Sequence, residues 1–413
     1  MASRSTSRLH APSPVNGPSI DRTKTAATGA TKSMNRSMFL LPLLGLIACD
    51  PMAKNAGQVD AVDTDPGEQS TGAAMDSADS GDMSQGIGGI GSPFGLGTIA
   101  IDMVASPNGA VVATLTGEPP YDLEVAEYDN DLNEIWSLSL GEGSISELTP
   151  LPDGGYVVGG LTETNTAAAW RLSCCGAILN AQEYPTMSGD SAAIIVAQPL
   201  AGGVFLVRDD GASFPDLISA DLDLVPVSID PAPGFFVTDG AVTASGNVAL
   251  TANEGGAAHL LYEIAPDGTG EGVGPGEDFM LVGRGDQLAM MTFSNPDGVN
   301  VRDYDSGMVT ALNVPDMVTL PERTFAADHR EHYAIAHAYE IEEVDQIFTE
   351  LAYLQGDGTL LRRGLIPAMD AVSRPITVAI ADDESIWITT VDTATGTEML
   401  PDMTGVLHRV YLH

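Results

Sequence analysis

From about residue 93 to the C-terminus, short runs of Val, Ile, Leu, Ala and Thr are broken by Gly, Asp, Asn and Pro. No segment keeps a 3.6-residue period over three turns, so the pattern predicts strands throughout. A turn followed by a short apolar strand recurs seven times. It begins at Pro107, Pro152, Ala201, Ser245, Gly285, Glu331 and Asp383. Aligning Gly109, Gly154, Gly202, Gly246, Asp286, His332 and Glu384 gives spacings of 45, 48, 44, 40, 46 and 52 residues.

Within each period the order repeats. A lead-in strand such as 146–152 is followed by the turn and second strand. A third strand, such as 123–128 or 168–172, comes after a loop. A tight turn, such as 265–268 or 356–358, then leads to a fourth strand, such as 134–140. We call these four strands A to D. Units of ~40–50 residues with four strands each are the signature of propeller blades. The expected fold class is all-β, a seven-bladed β-propeller of four-stranded antiparallel blades over residues 93–413; counts of six or eight are the neighbouring options. The segment 151–162, Leu-Pro-Asp-Gly-Gly-Tyr-Val-Val-Gly-Gly-Leu-Thr, with Ala-Ala-Trp-Arg-Leu after it, resembles the degenerate repeats of bacterial secreted β-propellers. The resemblance is strong for this unit and weak for the third, fifth and seventh. It implies a fold and not an activity.

The phase of the repeat carries a further expectation. The last unit has A, B and C strands near 375–381, 385–390 and 406–412, and then the chain ends without a D strand. Residues 92–97 stand in the D position ahead of the first A strand. They are therefore expected to pair with the C-terminal strand, with Phe94 and Leu96 as packing residues, although two glycines and a proline make a poor strand.

Upstream the texture differs. Residues 38–48 form an apolar run preceded by Arg36 and followed by Cys49, too short for a bilayer span. Leu46-Ile47-Ala48-Cys49 resembles the lipobox of bacterial lipoproteins, which implies export, cleavage before Cys49 and acylation of that cysteine. Residues 1–48 are then an N-terminal extension and signal peptide, with Met1 and Met34 both open as the start. Residues 49–92 read as a disordered acidic tether rich in Gly, Ser and Asp. Its Gly86-Ile87-Gly88-Gly89-Ile90-Gly91 matches G-x-G-x-x-G but lacks the strand and helix that a dinucleotide fingerprint needs, so it reads as a glycine linker.

The whole chain holds 17 Lys/Arg against 57 Asp/Glu, a formal charge of −40. Such a field disfavours nucleic acid and suits cations or basic partners. The expected location is the cell envelope, anchored through lipid on the extracytoplasmic side of the inner or the outer membrane. A monomer is expected, with a protein or glycan partner on one propeller face.

Candidate chemistry is sparse. No nucleophile elbow, P-loop, HExxH or zinc-type spacing occurs. Asp129-Asn130-Asp131-Leu132-Asn133 begins like a calcium loop but lacks its glycine and terminal glutamate, and reads as a C–D turn. His329, His332 and His337 cluster, but His332 and His337 differ in strand parity and so face opposite ways. Cys174 and Cys175 fall in a turn, where a vicinal disulfide and two free thiols both stay open. The B–C loops each carry a carboxylate: Glu118, Glu163, Asp209, Glu254, Asp297, Glu342 and Glu398. A ring of these would bind divalent cations, such as calcium, or a basic partner; scattered loop acids are the plainer reading. No catalytic residue is singled out and no other cofactor is expected. The functional reading is a binding or scaffold protein of the envelope. The alternative is a propeller enzyme, a quinone-dependent dehydrogenase or a lyase/hydrolase, with its site in the central funnel.

Overall fold

The computed structural model describes residues 87–412, apart from 118–120, 187–190, 212–213, 233, 244, 255–257, 266–268, 277–278, 285–286, 295–297, 304–308, 314–322, 329–331, 342–345, 370–371 and 394–402. The N-terminal extension, Cys49 and most of the stretch assigned to the tether lie outside the described residues.

The chain is all-β. Two short strands, β1 (Gly89–Ile90) and β2 (Phe94–Gly95), come first. Unit 1 comprises β3 (Ile99–Ser106), β4 (Gly109–Thr116), β5 (Tyr121–Asp129) and the first part of β6 (Glu134–Pro150). The rest of β6 opens unit 2, followed by β7 (Tyr156–Thr162), β8 (Ala167–Leu172) and β9 (Ile178–Tyr184). Unit 3 is β10 (Ala193–Leu200), β11 (Gly203–Asp209), β12 (Asp216–Asp221) and β13 (Pro226–Pro231). Unit 4 is β14 (Phe236–Val242), β15 (Val248–Glu254), β16 (Ala258–Ile264) and β17 (Gly270–Gly276). Unit 5 is β18 (Phe279–Arg284), β19 (Gln287–Ser294), β20 (Gly298–Asp303) and β21 (Val309–Asn313). Unit 6 is β22 (Arg323–Ala327), β23 (His332–Ile341), β24 (Gln346–Gln355) and β25 (Leu360–Ile366). The last unit is β26 (Val372–Ile380), β27 (Ile386–Thr393) and β28 (Met403–Tyr411).

Neighbouring strands within each unit pair antiparallel. The second strands are buried on both faces, as in Gly109–Thr116 and Ile386–Thr393, which explains their continuous apolar runs. Each face packs against a different neighbour. One cluster joins units 1 and 2 through Leu123, Val125, Leu148 and Trp170. Another joins units 2 and 3 through Val157, Ile194 and Leu206. Units 6 and 7 share Leu351, Ile386 and Val410. Unit 7 meets unit 1 through Trp387, Leu407, Met103 and Val112. The first strands also touch in cyclic order: β3 meets β6, then β10, β14, β18, β22 and β26 follow, and β26 returns to β3.

Units 1 and 2 run through one 17-residue strand, where the sequence suggests separate D and A strands. The chain turns through it at Gly143, whose φ is 153°. A Cβ there would lie 2.1 Å from the Leu161 carbonyl oxygen, so only glycine fits.

Among the described residues the last unit has three strands of its own, and the N-terminal segment pairs beside the third. Phe94 pairs with Leu407 and Gly95 with Val406, and Leu96 donates its N–H to the Gly405 carbonyl at 2.8 Å. Phe94 and Leu96 pack against the cluster between units 7 and 1, and the Phe94 ring lies 5.4 Å from that of Tyr128. Pairing begins earlier than the assigned domain start, since Gly89 and Ile90 also pair with Tyr411 and Val410. The strand is broken in two around Pro93, which has no N–H to donate.

Candidate functional site

The first strand of each unit lies innermost, beside the first strands of the neighbouring units. Units 1, 2 and 4 place an acid there, just after a bulge in the first strand: Asp102, Glu147 and Asp239. Asp102 Oδ1 accepts the N–H of Met103 at 2.8 Å, and Oδ2 accepts that of Leu148 on the next unit at 2.8 Å. Glu147 repeats the reach one unit on. Its Oε2 accepts the N–H of Ala197, and its Oε1 the side-chain amide of Gln198, both at 2.5 Å. Asp239 Oδ1 accepts the N–H of Gly240 at 2.8 Å. Asp102 and Glu147 therefore tie inner strands together, and all three satisfy backbone donors that burial would otherwise leave unmet.

The three are partly open to solvent, and the carboxyls of Asp102 and Glu147 are surrounded by protein. Burial pushes the Asp102 carboxyl up to about 6, against the pull of the Leu148 and Met103 N–H groups and with help from the Asp239 charge. Burial also raises the Glu147 carboxyl well above its ordinary value, opposed by the Ala197 N–H and reinforced by the charges of Asp102 and Asp239. The inner strands thus carry a patch of mutually repelling acids, of which Asp102 and Glu147 hold protons more tightly than surface carboxylates do. Each stands seven residues before an aligned glycine of the repeat, Gly109, Gly154 or Gly246, and that spacing is the sequence signal that would have found them.

The loop acids fare differently. Glu163 is exposed between β7 and β8. Asp209 ends β11 and accepts the Gly211 N–H at 2.8 Å. Glu254 ends β15, and its side chain lies outside the described residues, as do Glu118, Asp297, Glu342 and Glu398. Among the described residues, no group of three or more His, Cys, Asp or Glu side chains is placed to hold a metal ion.

The opposite end of the units, where A–B and C–D turns emerge, carries a recurring clamp. Arg171 on the third strand of unit 2 reaches the A–B turn, with Nη2 2.6 Å from Asp153 Oδ2, and donates from Nη1 to the Leu222 carbonyl of unit 3 at 2.9 Å. Arg409 on β28 does the same: it binds Asp383 Oδ2 at 2.6 Å and the Asn130 carbonyl of unit 1 at 2.6 Å. In unit 1 the same register holds Glu127, opposite Val111. It accepts from Ser106 Oγ at 2.7 Å, Asn108 Nδ2 at 3.2 Å and Trp136 Nε1 at 2.6 Å. A shallow cleft of about 490 Å³ lies beside this turn, lined by Asn108, Asp129, Asn130 and Asp131.

The histidines part as their parity requires. His332 bonds within its own turn, its Nδ1 3.0 Å from Asp328 Oδ2. His337 Nε2 lies 3.0 Å from Glu350 Oε2, and Arg363 grips that carboxylate at 2.6 and 2.9 Å. Burial pushes Glu350 up, but the hydrogen bonds and charges of His337 and Arg363 outweigh it and hold the carboxyl below its ordinary value. His329 lies outside the described residues. Asp129 closes a C–D turn, accepting the N–H groups of Asp131 and Asn133 at 2.8 Å each. Cys174 and Cys175 carry no disulfide here, and their sulfurs share a hydrogen bond at 3.3 Å.

No protein-family model matches this chain, and no curated protein matches it. Among solved structures it is similar to TolB from Acinetobacter baumannii, at 15% identity over 61% of this chain, with a TM-score of 0.38. The match spans 61% of that chain, under two thirds of its length. So weak a likeness says nothing about function, which has to be read from the residues of this chain.

Proposed function

We propose that this chain is a seven-bladed β-propeller, lipid-anchored through Cys49 on the extracytoplasmic side of a bacterial membrane, that acts as a binding or scaffold protein of the envelope. The observation that carries the propeller is the cyclic contact of the seven first strands, with unit 7 packed on unit 1. In that arrangement the B–C loops gather at one end, because every unit has the same antiparallel order. Glu163 and Asp209 emerge there, on a chain of strong negative charge. The partner this favours is a basic protein surface, with calcium as a competitor for the same loops.

The anchor rests on the apolar run and Ile47-Ala48-Cys49. Mass spectrometry of the membrane-fraction protein is expected to find acylated Cys49 as the first residue; an intact Met1 or Met34 there contradicts the anchor. The binding role is tested by capture from envelope extract with the full mature chain as bait. The expected result is a partner held at low salt, released at high salt, and held less well by Glu163→Lys/Asp209→Lys. Capture indifferent to salt and to both substitutions contradicts this face as the site.

A further inference from the structure

Cys174 and Cys175 sit in the turn joining β8 to β9, and that turn does not need them. In the equivalent turns of units 1 and 3 an aspartate closes the loop: Asp129 accepts the N–H groups two and four residues on, and so does Asp221, at 2.9 Å each. In unit 2 Ser173 takes that part, its Oγ accepting the N–H of Cys175 at 3.2 Å and of Ala177 at 3.1 Å. The cysteines therefore occupy the positions of Asn130-Asp131 and Leu222-Asp223, and their side chains take no part in the bonds that set the turn. Both are exposed, with sulfurs 3.3 Å apart.

The next residue connects them to the interior. Gly176 has φ 71°, and a Cβ on it would lie 2.4 Å from Cε3 of Trp136. The indole therefore rests on the turn backbone, while its Nε1 is fixed to Glu127. A change in the turn must move the indole or its environment.

We propose that Cys174 and Cys175 form a reversible redox site that reacts with external disulfides of low molecular weight and reports its state through Trp136. Adjacent Cα atoms stand about 3.8 Å apart across a trans peptide, whereas unstrained disulfides span about 4.4–6.8 Å between Cα atoms. A ring closed here is strained, and strained, exposed disulfides are the easily reduced, regulatory kind. The chemistry balances as two exchanges. A thiolate of the pair attacks the external disulfide and expels one thiolate, leaving a mixed disulfide. The second cysteine, as thiolate, attacks the protein sulfur of that bond and expels the other. The protein loses two protons and two electrons, and the external disulfide takes them up to become two thiols. The hydrogen bond with Cys174, together with its charge, raises the Cys175 thiol above its ordinary value, so the exchange quickens as pH rises. This site does not depend on the anchor or on the partner-binding face.

The test uses the full chain with oxidised glutathione, followed by peptide mapping and tryptophan emission. The expected product is the 174–175 peptide lighter by two hydrogens, with a change in emission. Millimolar dithiothreitol reverses both. Cys174→Ser and Cys175→Ser each stop at a glutathione adduct, and Trp136→Phe keeps the mass change but loses the emission change. A wild-type chain that yields only adducts or linked dimers, or a ring that resists dithiothreitol, overturns the proposal. An emission change that survives Trp136→Phe overturns the reporting role.

Discussion

Arg409, on the last strand, donates a hydrogen bond from Nη1 to the carbonyl oxygen of Asn130, 2.6 Å away and 279 residues earlier in the chain. Arg171 makes the same bond to Leu222 between units 2 and 3. Asn130 and Leu222 each follow the aspartate that closes a C–D turn, so unit 7 meets unit 1 as unit 2 meets unit 3.

Replacing Arg409 tests that junction. Its guanidinium is almost fully buried, bonded to Asp383 and stacked 4.7 Å from the centre of the Tyr411 ring. Arg409→Ala is expected to cost about 2–3 kcal/mol, the range for charged hydrogen bonds lost from a buried position. Arg409→Lys should recover little, since one ammonium cannot span both acceptors. Urea unfolding of the two variants measures this; a loss within error for both would mean that the junction contributes nothing to stability.

The inner acids make stability depend on pH in a stated direction. Asp102 titrates near 6 in the fold against an ordinary 3.8, so the folded state holds its proton more tightly than the unfolded chain does. That contribution is complete below about pH 4 and is lost as pH rises through about 6, worth on the order of 3 kcal/mol. Glu147 works in the same direction. The thermal midpoint should fall between about pH 4 and 7, and Asp102→Asn should flatten the fall. Because the net charge also changes over this range, the informative quantity is the wild-type minus variant difference. A difference that is constant with pH would contradict the raised value.

Two glycines separate backbone conformation from contact. Gly154 has φ 84° with nothing near its missing Cβ, whereas Gly176 has φ 71° and the Trp136 ring in the way. Gly154→Ala should cost about 1–2 kcal/mol for the left-handed backbone alone. Gly176→Ala should cost about 1–3 kcal/mol beyond that for the clash, and should alter Trp136 emission. Thermal melts and fluorescence of the pair check the ranking, which equal costs and unchanged emission would reverse.

The recurring turn and second strand are plain in the sequence because those strands are buried on both faces and admit little but small and branched apolar residues. The completion of the last unit is legible too, from counting strands around the repeat. The Arg clamps are not. Asp153 and Arg171 are 18 residues apart, Asp383 and Arg409 are 26, because the loops between their strands differ in length. A cross-strand pair with so variable a spacing leaves no motif. The inner acids do leave one, at seven residues before the repeat glycine, but each sits among apolar neighbours in a chain where acids are common. That same abundance draws attention to the loop carboxylates, of which only Glu163 and Asp209 have described side chains.

The N-terminal segment acting as the missing strand of the last unit is the central claim, and hydrogen–deuterium exchange on the mature chain reads it directly. Leu96 donates to Gly405 and Gly91 donates to the Arg409 carbonyl at 2.9 Å, so peptides spanning 87–97 should be slow and should open together with those spanning 403–411. Exchange of 87–97 within seconds, while 403–411 stays protected, would contradict it.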